Sequence, residues 1–118
     1  MNLIVFLGSD KETWGQPTAL INRGEWEKII IIKNKTSSGF PTPNNGEMIE
    51  VDSDKPLLEL KNEIRDKIKK IMTTDFEVAV SIASGNGKEH MSLISALIGI
   101  PVGIKLVAFT KQGVEFLD

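Results

Sequence analysis

Residues 84–90, Ser-Gly-Asn-Gly-Lys-Glu-His, gather groups suited to holding an anion. Gly85 and Gly87 permit positive φ, which turns backbone N–H groups outward, and a following helix opens with unpaired donors and a partial positive charge. Lys88 adds a full charge, while Ser84 and Asn86 add neutral hydrogen-bonding groups. A second group, Gly8, Ser9 and Asp10, follows the first apolar run. Asp10 and Glu89 subtract positive charge, which argues against a triphosphate ligand. The turn also admits a purely structural role, because a Gly-rich strand-to-helix turn serves steric needs in many α/β domains.

Known phosphate motifs fail here. A Walker A loop needs glycine where Ile82 stands and Ser or Thr where Glu89 stands. The dinucleotide fingerprint begins at Gly85 and Gly87, but its third glycine falls on His90. No nicotinamide or other cofactor is therefore expected. His90, the only histidine, fits capping or surface packing better than catalysis. Trp14 can stack on a base, though half-buried packing is the commoner use of a Trp so placed. Glu47, Glu50 and Asp52 alternate along a short strand with no histidine or further acid to complete a metal site, so no metal is expected.

The totals narrow the function classes. A chain of 118 residues with 41% apolar content builds one core, hence a single domain over 1–118. Fourteen basic and sixteen acidic residues leave a net charge of −2, too little positive field for duplex DNA. Absence of cysteine removes disulfides and thiolate chemistry and suits a cytoplasmic setting. The apolar stretch Leu3–Leu7 is too short for a signal peptide or a membrane span, so no membrane association is expected.

Leu3–Leu7 and Ile29–Ile32 are continuous apolar runs, the mark of strands buried on both faces. Between them, Pro17 starts a short helix that ends near Gly24. Residues 34–46 carry turn formers without periodicity, a long loop that is functional or disordered, with Phe40 as a lid or a stray side chain. A short alternating strand with Met48 and Val51 precedes the clearest helix, whose Leu57, Leu60, Ile64, Ile68 and Ile71 share one face. Asp54 is its expected cap, and Glu63–Lys67 and Asp66–Lys70 are expected surface pairs. The run Phe-Glu-Val-Ala-Val-Ser-Ile-Ala gives a fourth strand, and a helix after the glycine turn spreads its apolar residues over roughly 220° of its circumference. One sheet face cannot cover so wide an arc, so a second partner is expected for it. A fifth strand, Gly103–Thr110, turns tightly into a sixth, Val114–Asp118, antiparallel at an edge.

Alternation of strands and helices predicts an α/β fold: a Rossmann-like, mostly parallel open sheet of about six strands with helices on both faces. In the strand order 3-2-1-4-5 the first and fourth strands are neighbours whose following connections diverge. A crevice must then open between Gly8-Ser9-Asp10 and the glycine turn.

The segment 75–110 resembles the second half of CRISPR-associated Rossmann-fold (CARF) domains, in which a strand ends in a Gly-rich turn with a lysine before a small-residue helix. The opening Leu-Ile-Val-Phe-Leu-Gly-Ser-Asp is similar to their first motif. Where family members carry a Gly-Gly-Thr-Lys type of turn, Gly85, Asn86, Gly87 and Lys88 stand here. The resemblance implies a homodimer that binds a cyclic oligoadenylate across its two-fold axis. It also implies a stand-alone sensor subunit, ligand sink or ring nuclease, since 118 residues leave no room for an effector domain. Ring nucleases of this fold use a hydroxyl after the first strand and a lysine in the later turn, which match Ser9 and Lys88.

The expected function is a small-anion or nucleotide-binding module whose ligand contacts are Gly8, Ser9, Asp10, Ser84, Gly85, Asn86, Gly87 and Lys88. The alternatives are a slow, metal-independent phosphodiesterase using Ser9 and Lys88, and an interaction protein whose crevice is empty.

Overall fold

The computed structural model describes residues 1–72 and 76–117. Asp118, with which the last strand was expected to end, lies outside them. The apolar runs become β1 (Asn2–Leu7) and β2 (Ile29–Asn34), followed by β3 (Gly46–Val51), β4 (Glu77–Ser81), β5 (Gly103–Thr110) and β6 (Gly113–Phe116). The sheet order is β3-β2-β1-β4-β5-β6, parallel throughout except for the β5–β6 hairpin. This is the Rossmann-like α/β architecture that the alternation predicts.

β1 is buried along its whole length because both faces of the sheet are covered there. Its even-numbered residues Ile4 and Phe6 join Ile30, Ile32, Val78 and Val80 under α2 (Leu57–Ile71) and α3 (Gly87–Ile98). Odd-numbered Leu3, Val5 and Leu7 face the other way, toward α1 (Gly15–Arg23). That second face has one helix of nine residues, too short to span six strands. Aromatic side chains make up the difference: Trp14, Trp26 and Phe40 pack against the same cluster. Phe40 meets Trp14 edge to face with ring centroids 5.5 Å apart, so the long loop 35–45 is anchored by its central aromatic ring.

Three expectations about the helices need correction. Asp54 does not cap α2: the helix follows Pro56, whose φ of −53° and ψ of 149° end the extended segment. The carboxylate that organises this connection is instead Asp52, whose Oδ1 accepts from the Asp54 N–H at 3.0 Å. On α2, Glu63 does pair with Lys67 at 3.5 Å, whereas Asp66 pairs with its neighbour Arg65 at 3.2 Å. Gly87 opens α3 without a positive φ; that conformation belongs to Gly85, at 100°.

The wide apolar arc of α3 divides. Leu93, Ala96 and Leu97 are buried, while Met91 is 60% and Ile98 72% exposed. Beside Met91, Leu57 and Leu58 of α2 are 41% and 65% exposed. Because β5 returns directly as β6, no helix follows it; α1 packs on one face of this hairpin, and on the other Ile94, Ile104, Leu106 and Leu117 line an open apolar groove.

Candidate functional site

β1 and β4 lie side by side and parallel, and the chain leaves them on opposite faces of the sheet. A crevice of about 340 Å³ opens at that divergence. Its floor is a close approach of two backbones: a Cβ on Gly8 would sit 2.6 Å from the Gly85 nitrogen and 2.7 Å from its Cα. Glycine at position 8 is therefore a steric requirement.

Hydrogen bonds lock the two connections together. Ser84 is fully buried, and its Oγ accepts from the Gly8 N–H at 2.8 Å while sharing a 2.6 Å bond with Thr13 Oγ1. Trp14 Nε1 donates to the Gly8 carbonyl at 2.8 Å, and His90 Nε2 lies 2.7 Å from the Ser84 carbonyl. Ser84 and His90 thus hold the turn in shape.

Five of the expected contacts, Gly8, Ser9, Asp10, Gly85 and Asn86, line the crevice. Ser84, Gly87 and Lys88 do not. Lys88 is directed to the β3–α2 connection, where its ammonium donates to the Ser53 carbonyl at 2.8 Å. Ser9 Oγ is tied to the loop after β2, bonded to Thr36 Oγ1 at 2.9 Å and Ser37 Oγ at 3.4 Å. Asp10 caps the short 3₁₀ turn Lys11–Trp14 through the Glu12 N–H at 3.0 Å.

Glu89, the turn motif's own acid, lines it as well, and the remaining walls come from residues that the motif does not point to: Thr13, Asn34, Ser53 and Asp54. Asn34 ends β2 and Ser53 stands just beyond the C-terminal end of neighbouring β3, and their linkage is direct, Ser53 N–H to Asn34 Oδ1 at 3.1 Å. The order 3-2-1-4 was the signal available for them, since the ends of all four strands share one edge of the sheet.

Electrostatically, the crevice is acidic. Asp10, Asp54 and Glu89 line it, and no lysine or arginine does among the described residues. The start of α3 carries a capping box: Asn86 Oδ1 accepts from the Glu89 N–H, and Glu89 Oε1 accepts from the Asn86 N–H, both at 2.9 Å. Among the described residues no group of three His, Cys, Asp or Glu side chains could hold a metal ion. What the walls offer is a dense set of neutral and anionic acceptors, with hydroxyls and two amides, Asn34 and Asn86, that can also donate.

No family model matches the chain, and no curated protein matches its sequence.

Proposed function

We propose that this protein is a binding module for a small nucleotide-class ligand, held in the crevice between the Gly8 and Gly85 backbones. The observation that carries this is the crevice itself: an opening of about 340 Å³ at the switch point of an open parallel sheet, rimmed by hydroxyl, amide and carboxylate groups. Ribose hydroxyls and the amino edges of a base are the donors such walls satisfy. Cyclic oligoadenylate is the most specific candidate, supplied by the resemblance to CARF domains. Lys88 lies outside the crevice lining at the Ser53 carbonyl, a position suited to a phosphate that remains at the rim.

The exposed side chains Leu57, Leu58, Met91 and Ile98 on α2 and α3 support a second copy of the chain as partner, so that two crevices serve one ring. The test is a thermal melt of the purified protein with cyclic tetra-adenylate, cyclic hexa-adenylate, AMP and inorganic phosphate, followed by chromatography of the nucleotide. A selective rise of a few degrees with a cyclic oligoadenylate is expected. Intact ligand afterwards identifies a sensor, whereas cleaved ligand assigns Ser9 and Lys88 to a phosphodiesterase reaction. No rise with any nucleotide overturns the reading.

A further inference from the structure

One carboxylate joins the start of α3 to the β3–α2 connection. Glu89 is only 4% exposed. Its Oε1 accepts from the Asn86 N–H at 2.9 Å, and its Oε2 accepts from Ser53 Oγ at 2.6 Å. These bonds hold a negative charge against the first turn of the helix, where backbone donors and the helix dipole favour an anion. An incoming phosphate has two courses. It can approach a buried carboxylate of like charge, or it can displace Glu89 and leave the Asn86 N–H and Ser53 Oγ without their partner.

We infer that Glu89 is a specificity-determining residue of the crevice: its buried carboxylate already fills the anion position at the start of α3. The crevice therefore takes the hydrogen-bond-donating part of its ligand, a nucleoside sugar or base edge, and keeps phosphate outside. Asp10 and Asp54 on the other walls act in the same direction. The ligand class rests on the nucleotide reading above, while the exclusion of phosphate is independent of that reading and rests chiefly on Glu89.

The experiment is an amide NMR titration of the full chain, as wild type and as Glu89→Gln, with inorganic phosphate and separately with adenosine. Gln at this position keeps an acceptor for the Asn86 N–H and removes the charge. In the wild type, adenosine is expected to shift the amides of Gly85, Asn86 and Glu89, and phosphate is expected to leave them in place. In Glu89→Gln, phosphate binding at these amides should tighten at least about tenfold and adenosine binding should weaken. Phosphate binding to the wild type at these amides overturns the inference even if the variant does not fold. So does a folded variant that gains nothing. If the variant gains phosphate while neither adenosine nor any nucleotide moves the wild-type amides, the nucleotide reading falls and the exclusion by Glu89 stands.

Discussion

Gly85 and Gly87 look equivalent in the sequence, two glycines of one turn, yet they carry unlike constraints. Gly85 has a φ of 100°, whereas Gly87 is helical and a Cβ there would meet nothing within 4 Å. Of the glycines in the two facing turns Gly8 is the most confined, and its obstacle is the backbone of Gly85. Gly8→Ala is expected to cost about 1–3 kcal/mol or more, because neither backbone can yield without disturbing β1 or β4. Gly87→Ala is expected to lie between neutral and about 1 kcal/mol stabilising, through reduced freedom of the unfolded chain. Urea midpoints of the two variants check both values, and equal destabilisation would contradict the geometry. Residue type was legible in the sequence at all three sites, and the strand order set the two turns facing each other; what was not legible is that their backbones touch at Gly8 and Gly85. Lys88 shows the same limit. Its charge could be read directly, but its direction is set by the Ser53 carbonyl.

Among the elements, the β3–α2 connection departs most from expectation. Local rules favoured Asp54 as a helix cap, but long-range partners fix this segment. Glu63, inside α2, accepts from the Asp52 N–H at 3.3 Å and from the Lys55 ammonium at 3.0 Å, strapping the connection onto the helix. Burial pushes the Glu63 carboxyl up, but the Lys55 hydrogen bond, the Asp52 N–H and nearby Lys67 together outweigh it and hold the group below its ordinary value. A lowered folded value means that the strap stabilises in full above the ordinary glutamate value, about 4.3, and fades as pH falls through the folded value. Glu63→Gln should therefore be less stable than wild type near neutral pH, with the difference narrowing steadily as urea midpoints are taken below about pH 4. A difference independent of pH would show that the strap works by packing instead. The 34–46 loop was legible as a loop, and Phe40 as its one large apolar group; that it seats on Trp14 follows from a sheet face with too little helix to cover it.

At the scale of the whole molecule, strand order was legible because continuous apolar runs mark doubly covered strands and the connections between them limit the topology. The crevice followed from that order, and Asp10 and Glu89 were legible as two of its acids; Asp54 was not, because it enters from the β3–α2 connection, whose course depends on tertiary contacts. The exposed faces of α2 and α3 give a further expectation. Wild-type protein should sediment as a dimer, and Leu58→Glu, at a position 65% exposed, should shift it to monomer while leaving its circular dichroism unchanged. Wild type sedimenting as a monomer across concentration would remove the second copy from the account. The place of β1 in the sheet has a bearing on how the chain is made. Leu3 pairs with Ile29 on one side and with Ala79 on the other. A chain emerging from the ribosome can zip β1 to β2 early, but the opposite edge of its most apolar strand stays open until the segment at 77–81 has emerged. The order of synthesis is thus not the order of assembly: the centre of the sheet is laid down first and closed late, and the strand leading into the glycine turn is also the one that ends the exposure of the nascent core.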